Sequence, residues 1–319
     1  MNDSLRPFSM VENYCSTQPD RHATTQRFPL VFTHIPKAAG TTVESVLRAT
    51  TQYLQRKFLR LKGPLYHRAF APGKTPILAQ LAVLNRGDFA DVDVLSGHLP
   101  FGIDEFFDRP CHYCSVMREP IARCQSHFKM GVRRRLWDNE ADIESLFNKG
   151  DIPDNAMTRQ FAGLRSTDIR CDQSMLELAL ENINKRYDVI GAGDSIEGVN
   201  LFLSMLSGLY NWPTILFEHY NVARQTWQFD EETIEKIRNA NQFDQLLYQR
   251  LFTDDSIWVA DHLRPILTTN KQKLSKASEN ILVISPTLNQ SEQAVLINDH
   301  EFQQVLNQHQ HLEQLITFY

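Results

Sequence analysis

The sequence predicts an α/β fold in which a parallel sheet is flanked by helices on both faces. Four short apolar runs have the character of strands, at 28–34, 92–97, 112–117 and 187–193. Apolar residues recur at helical intervals in the segments 141–149, 155–163, 174–186, 195–208 and 230–253. Strands that alternate with helices favour a parallel sheet, because each connecting helix returns the chain across a face of the sheet.

The first strand, loop and helix form the clearest unit of this pattern. The run 28–34 is rich in Val, Phe and Leu, which is typical of a strand buried on both faces. After a short loop, the apolar residues of 42–60 recur at helical intervals, so we predict a helix there. The run 112–117 repeats the arrangement, since it ends at Arg118 and is followed by Pro120, which suits the first turn of a helix.

The composition changes at both ends of the chain. Residues 1–27 are polar and show no sustained period, so we expect a flexible N-terminal lead. Residues 28–269 hold the predicted strands and helices and are expected to form one domain. Residues 270–319 are rich in Gln and Asn. We expect this segment to be a C-terminal extension, and its role, an appendage or a partner-binding segment, stays open, as does the oligomeric state.

Charge and hydropathy exclude several classes of function. The chain has 33 Lys and Arg against 38 Asp and Glu, a net charge of −5, so no overall positive field draws it to nucleic acid or to anionic membranes. No apolar run approaches the ~18–20 residues of a membrane span, and residues 1–27 lack the apolar core of a secretory signal. We therefore expect a cytoplasmic protein with no membrane span and no nucleic-acid partner, in which a local site holds any bound anion.

The five cysteines lack the regular spacing of a disulfide framework or of paired zinc half-sites. Cys111 and Cys114 have the spacing of a redox dithiol, but such a pair acts at the start of a helix, and this pair belongs to a strand-like run. We interpret both residues as buried structural thiols in a reducing compartment.

The loop after the first strand combines the features of an anion-binding site. Small residues let the backbone approach an anion, Gly40 allows an unusual backbone dihedral angle, and the start of the next helix points N–H groups at the ligand. Lys37 adds a charge, while Thr41 and Thr42 add hydroxyl donors. The loop differs from a Walker A loop, because the lysine precedes the glycine by three residues. The alternative is an ordinary strand-to-helix turn with a solvated lysine.

A second candidate anion site begins at the end of the run 112–117. Arg118 lies at the predicted carboxyl end of a strand, where ligands bind in open α/β sheets. Ser126 follows eight residues later, about two helical turns on, so both side chains can face one phosphate. This pair gains significance from its place beside the first loop.

Both candidate sites resemble the donor-binding motifs of sulfotransferases. The segment HIPKAAGTT at 34–42 resembles their 5′-phosphosulfate loop, and MREPIARCQSHF at 117–128 resembles their 3′-phosphate motif. The similarity is greatest to the branch that includes the Golgi carbohydrate sulfotransferases and heparan sulfate 2-O-sulfotransferase. Weaker similarities follow in SGHLPFG at 96–102, DNAMTRQFAG at 154–163, NVARQT at 221–226 and NANQFDQLLYQRL at 239–251. The resemblance covers about residues 28–253 and implies the sulfotransferase fold, a P-loop-like parallel sheet.

The resemblance also implies a reaction. The sulfuryl group of 3′-phosphoadenosine-5′-phosphosulfate (PAPS) would move in line to a hydroxyl, or less often an amine, of a carbohydrate-type acceptor. The 5′-phosphosulfate would be held by Lys37, Ala38, Ala39, Gly40, Thr41 and Thr42. Arg118 and Ser126 would hold the 3′-phosphate, and Arg224 would close over the nucleotide. The acceptor, whether a glycan, a glycolipid or a hydroxylated metabolite, stays open, and no metal is required.

Three residues are candidates for the chemical step. Lys37 is suited to the bridging oxygen of the departing nucleotide. His98 follows a predicted strand and has an ordinary pKa near neutrality, so it is the first candidate for the general base. A similar GH-x-P-F histidine has that part in the branch this chain resembles. Glu44 is the alternative base, since other sulfotransferase branches use a glutamate near this loop, and its other interpretation is a glutamate that complements the helix dipole.

Basic side chains after the second motif are candidates for the acceptor site. Lys129 and the run Arg133 to Arg135 either meet an anionic acceptor or form a solvated helix face. We name Arg133 and Arg159 as candidate acceptor-binding residues, Arg159 because its segment resembles one in the same family. His34 and His127 flank the motifs, and we expect them to pack or to cap helices.

Two other functions compete with sulfuryl transfer. A P-loop-type nucleotide-dependent kinase would share the strand, loop and helix, but it would need Mg²⁺ ligands and a Walker lysine next to Ser or Thr. An inactive sulfotransferase-like binding module is the second alternative. The loop shows neither kinase feature, and the joint presence of Lys37, His98, Arg118 and Ser126 argues against the inactive module.

Overall fold

A computed structural model describes residues 8–11, 29–61, 89–163, 169–210, 212–219, 229–253, 256–264, 280–285, 295–308 and 316–318. The strands are β1 (Phe8–Val11), β2 (Leu30–Thr33), β3 (Phe58–Leu61), β4 (Val94–Gly97), β5 (His112–Met117), β6 (Tyr187–Ala192), β7 (Thr214–Glu218), β8 (Ile257–Val259), β9 (Asn280–Ile284), β10 (Val295–Asn298) and β11 (Ile316–Phe318). The helices are α1 (Gly40–Tyr53), α2 (Pro120–Arg133), α3 (Ile143–Asn148), α4 (Ala156–Phe161), α5 (Gln173–Arg186), α6 (Ile196–Tyr210), α7 (Glu231–Ala240), α8 (Gln242–Leu251) and α9 (Asp299–Gln308). None of these helices combines the length and apolarity needed to cross a bilayer.

The main sheet has six strands in the order β3-β4-β2-β5-β6-β8. The first five are parallel, and β8 pairs antiparallel with β6. The four predicted strands correspond to β2, β4, β5 and β6, and the α/β prediction is confirmed. Every residue of β2, β4 and β6 is buried, which explains why these strands are nearly continuous apolar runs.

Helices cover both faces of the main sheet. One face packs against α1 and α6 through a buried cluster that includes Leu30, Val43 and Phe202. The opposite face packs against α4, α5 and α8 through a second cluster that includes Val31 and Leu176. Neighbouring residues of β2 thus point into different cores, as the two-residue period of a strand requires.

A second sheet lies behind α1 and α6, with the strand order β10-β9-β7-β1-β11. Ile215 and Phe217 of β7, with Leu282 and Ile284 of β9, belong to the same buried cluster as α1 and α6. These two helices therefore lie between two sheets. Strands from both end segments of the chain pair with β7, which lies within 28–269, and the domain boundaries at 27 and 269 stay a prediction.

The predicted helix at 42–60 is wrong in its second half. Helix α1 ends at Tyr53, and Phe58–Leu61 forms β3, which pairs with β4. The helix closes with Arg56 N–H donating to the carbonyl of Thr51 at 2.9 Å and Gln55 N–H to that of Gln52 at 3.0 Å. Gln55 has a φ of 54°, so this is a Schellman ending with glutamine in the position that glycine usually takes.

The helical pattern at 230–253 divides into α7 and α8 at Asn241. Asn241 is buried, and its side-chain oxygen accepts from the backbone N–H of Asn155 at 3.1 Å. Its side-chain nitrogen donates to the carbonyl of Ile237 at 2.9 Å. The side-chain amide of Asn241 therefore stabilises the break by bonding to both α7 and the segment before α4.

The cysteine pair at 111 and 114 agrees with the structural interpretation. Both thiols are buried and free. Burial raises the pKa of Cys111 to about 12 and that of Cys114 well above its ordinary value. Because the thiolate is the reactive form, both groups are chemically quiet near neutrality.

Replacing Gly198 by alanine is expected to destabilise the fold, because α6 begins against the end of β6. A Cβ atom at Gly198 would lie 2.0 Å from the carbonyl oxygen of Ala192. The clash outweighs the helix propensity of alanine, and we expect a loss of about 1–3 kcal/mol in the free energy of unfolding. Denaturant titration measures it. Glu197→Ala, an exposed change in the same turn, is the control and should stay within about 0.5 kcal/mol; equal midpoints for the two variants would contradict the packing.

Candidate active site

The candidate residues gather where β2, β4 and β5 end at their carboxyl edge. Backbone pairing places His34 next to Gly97, with the His34 N–H donating to the Gly97 carbonyl at 2.9 Å. His98 Nδ1 lies 2.7 Å from the carbonyl oxygen of His34. Arg118 Nη1 donates to the carbonyl of Lys37 at 3.3 Å. The three motif segments that lie far apart in the sequence are thus neighbours at one sheet edge, as parallel strands require.

The loop between β2 and α1 has an unusual backbone. Lys37 and Ala39 have φ angles of 69° and 60°, a left-handed conformation that costs a residue with a Cβ about 1–3 kcal/mol. Ala38, between them, has no positive φ. Such alternation turns successive N–H groups into one concavity, which is the form of an anion-binding nest.

The start of α1 adds donors to this concavity. Ala39 is the N-cap residue of α1 and makes no side-chain capping bond, because alanine has no side-chain acceptor. The residues usual at this position are Ser, Thr, Asp and Asn, which satisfy a helix N–H themselves. No side chain therefore caps the start of this helix of 14 residues, and an uncapped helix N-terminus is suited to an anion.

Positive charges converge on Lys37. Burial, and then the charges of Arg133, Arg134 and Arg118 in that order, lower the pKa of Lys37 to about 8. Arg118 is balanced in part by Asp194, with 3.8 Å between Nε and Oδ1. Like charges held together repel one another, and a bound dianion would relieve that repulsion. The electrostatics at this loop thus favour a multiply charged anion.

His98 is half-buried and lies beside the start of the same loop, where it contacts His34. Since a carbonyl oxygen only accepts, the 2.7 Å contact with His34 O requires that Nδ1 of His98 carries the hydrogen. In the neutral ring the lone pair is then on Nε2. This is the tautomer that a general base needs if Nε2 is to accept a proton.

Glu44 has protein partners on both carboxylate oxygens. Oε1 pairs with Nε of Arg60 at 2.5 Å, and Oε2 accepts from Oγ of Ser96 at 2.7 Å and from Nδ1 of His34 at 3.3 Å. Burial acts to raise the pKa of Glu44, but the bonds from His34 and Ser96 and the charges of His34 and Arg60 outweigh it, so the pKa falls below its ordinary value. This arrangement does not support Glu44 as the general base.

The remaining donor-site residues lie on the first turns of the two helices or near them. Thr41 is exposed and Thr42 is buried at the start of α1. Ser126 is half-buried on α2, two turns beyond Arg118. Arg224 lies outside the described residues.

The two candidate acceptor residues differ in their surroundings. Arg159 is only 2% exposed, and its guanidinium donates to the Asp154 carboxylate at 2.9 Å and to the carbonyl of Ile169. This geometry does not support Arg159 as an acceptor-binding residue. Arg133 is exposed at the end of α2, and its charge lowers the pKa of Lys37.

His127 is buried in the helix that carries Ser126. Burial, then the charges of Arg123, Lys37 and Arg134, lowers the pKa of His127 to about 3, so the ring is neutral. Its centroid lies 6.3 Å from that of Trp137. These contacts agree with the expectation that His127 packs.

Asp194 is a site residue that the sequence did not reveal. Its Oδ1 accepts from the Glu119 N–H at 2.9 Å and its Oδ2 from the Tyr248 hydroxyl at 2.6 Å. Together with its pairing to Arg118, these bonds hold the start of α2 in place. The available signal was its position one residue beyond the predicted strand at 187–193.

The fold and the site together define an α/β protein in which a loop with the form of an anion-binding nest lies beside a histidine. The sequence matches no protein-family model, and no curated protein is significantly similar to it. The crystal structure of a sulfotransferase from Alicyclobacillus acidocaldarius is similar, with a TM-score of 0.39 and 10% sequence identity, over 71% of this chain and 96% of that chain. At this identity and TM-score the similarity assigns no function.

Anion affinity at the loop is expected to fall as the pH rises through the pKa of Lys37. Without an anion, the pKa of Lys37 is about 8, and a bound anion raises that pKa. The affinity for the anion is therefore greatest below about pH 8 and falls by up to ~10-fold per pH unit above it. Calorimetric titration with sulfate at constant ionic strength measures this. Lys37→Met is the control, with weak affinity that does not change with pH; a flat profile for the unaltered protein would contradict the role of Lys37.

Proposed function

We propose that the chain is a sulfotransferase, with PAPS as donor and a hydroxyl, or less readily an amine, of a carbohydrate-type molecule as acceptor. The observation that carries the proposal is the contact between its two donor-like motifs. Arg118 of the 3′-phosphate-like motif donates to the carbonyl of Lys37 in the 5′-phosphosulfate-like loop at 3.3 Å. A 3′,5′-bisphosphorylated nucleotide needs two anion sites side by side.

The chemistry of the donor set fits this nucleotide. The nest at 37–39 and the start of α1 offer N–H groups to a 5′-phosphosulfate. Arg118 and Ser126, on the start and second turn of α2, would hold the 3′-phosphate. Arg224 and the threonines 41 and 42 are further proposed donors.

The proposed reaction is an in-line transfer in which the protein positions groups and neutralises charge. When bound, PAPS supplies the sulfuryl group, whose bond from sulfur to the bridging phosphate oxygen breaks with the electron pair staying on that oxygen. Nε2 of His98 takes the proton of the acceptor hydroxyl as that oxygen forms its bond to sulfur. Lys37 and the loop amides stabilise the charge that grows on the bridging oxygen.

The acceptor class is the least determined part of the proposal. Arg133, which is exposed and whose charge lowers the pKa of Lys37, is the proposed contact for an acceptor, while Arg159 is buried and paired with Asp154. A glycan, a glycolipid or a hydroxylated metabolite would each fit. A cytoplasmic location stays a prediction.

Donor binding is expected to be selective and independent of metal. Calorimetric titration with 3′-phosphoadenosine-5′-phosphate (PAP) should give binding in the absence of metal, with ADP and ATP weaker, because they lack the 3′-phosphate. Arg118→Ala should weaken PAP by at least ~10-fold while leaving ADP within about threefold, since only PAP has the group that Arg118 meets. Equal affinity for PAP and ADP, or a preference for ATP with Mg²⁺, would overturn the proposal in favour of a kinase.

Loss of the base is expected to separate binding from turnover. His98→Ala should keep the affinity for PAP within about twofold and lower kcat by ~10²–10⁴-fold for an acceptor found by screening with labelled donor. Glu44→Gln is the matched variant, because it removes the only competing base. Near-normal turnover of His98→Ala together with an inactive Glu44→Gln would transfer the role of base to Glu44.

A further inference from the structure

We propose that His34 is a positioning residue for His98, that Glu44 anchors it, and that its ring sets the place of the base relative to the donor loop. The inference deepens the proposed function and rests on it for the identity of the base. His34 was expected only to pack or cap. Its contacts give it a more specific part.

His34 touches His98 in two ways. Its backbone carbonyl accepts the Nδ1 hydrogen of His98 at 2.7 Å. Its ring centroid lies 4.3 Å from that of His98, with 46° between the planes. The carbonyl fixes which nitrogen of His98 carries the hydrogen, and the ring limits how far the His98 ring can turn.

The same ring also packs on the donor loop. A Cβ atom at Gly40 would lie 2.2 Å from both Cδ2 and Nε2 of His34, so the imidazole rests directly on the backbone of the first residue of α1. One buried ring therefore separates the loop from the base. The distance between the sulfur of a bound donor and Nε2 of His98 depends on that ring.

Glu44 holds the ring of His34 in place through a hydrogen bond. His34 is 5% exposed, and its Nδ1 donates to Glu44 Oε2 at 3.3 Å. Ser96 of β4 and Arg60 of β3 bind the same carboxylate, so the anchor is tied to two strands of the main sheet. Gln160 of α4 approaches the His34 carbonyl, with 3.4 Å between Nε2 and the oxygen.

This arrangement gives Glu44 a role that differs from that of a base. A carboxylate with both oxygens engaged is an acceptor for His34, which obliges Nδ1 of His34 to carry its hydrogen. The chain of contacts then runs from Arg60 through Glu44 and His34 to His98. In metal sites, hydrogen bonds from carboxylates and carbonyls orient the ligating histidines in the same way.

A double-mutant cycle tests the positioning role. His34→Phe keeps a ring but removes the bond to Glu44, and we expect kcat to fall ~10–100-fold with the affinity for PAP within about twofold. In the His98→Ala background the same change should cost less than about twofold, because the base through which it acts is gone. An equal loss in both backgrounds, or a parallel loss of PAP affinity, would show a merely structural role and overturn the inference.

Two further measurements keep the test decisive. His34→Asn returns a donor near the Nδ1 position and should keep more activity than His34→Phe; it also replaces that variant if the phenyl ring prevents folding.

Two-bond ¹H–¹⁵N spectra of labelled histidines in the full chain should show His98 as the Nδ1–H tautomer, assigned by its loss in His98→Ala. His34→Phe keeps the backbone carbonyl that sets this tautomer but loses the bond to Glu44 that holds the ring, so we expect the His98 cross-peaks to broaden or split as its ring takes more than one orientation. One sharp set of cross-peaks, as in the unaltered chain, would overturn the inference. Because this spectrum needs no donor or acceptor, failure of PAP binding and failure of the positioning role are separate results.

Discussion

The hydrogen bonds between β2 and its two parallel neighbours are the constraint on which the candidate site depends. In that register Thr33 lies opposite both Gly97 and Ser115, so the chain leaves β2 and β4 at the same level. His34 and His98 are then adjacent, and β5 runs two residues farther before Arg118 begins its turn. A register shift in either pair would separate the base from the loop, because neighbouring residues of a strand face opposite sides.

Much of the main sheet could be predicted because its strands are buried on both faces and therefore read as apolar runs. What could not be predicted depends on partners remote in sequence. Strand β7 pairs with β1 and β9, each about 65 or more residues away along the chain. The end of α1 was not predicted for a local reason. Gln55 has the left-handed conformation that ends the helix, a position where glycine is usual and would have indicated the end.

The candidate site divides in the same way. Lys37 and Arg118 were predictable because each lies within three residues of the end of a strand-like run. Glu44 and Arg159 were expected to act on ligands, but their environment is decided by residues from other elements, Arg60 for the first and Asp154 for the second. A charged side chain has the same appearance in a sequence whether it faces a cavity or a buried counter-ion, and only tertiary packing distinguishes the two cases.

The position of α1 between two sheets has a mechanical consequence. Its loop cannot shift toward or away from a ligand without displacing side chains of β9 on one side and of β2 on the other. Packed interiors resist such movement, so the loop between β2 and α1 is held in place. Any closure around a ligand must then come from other segments. Side chains of β9, at residues 280–284, are part of the packing around α1, so a segment far along the chain helps to hold the helix that follows this loop.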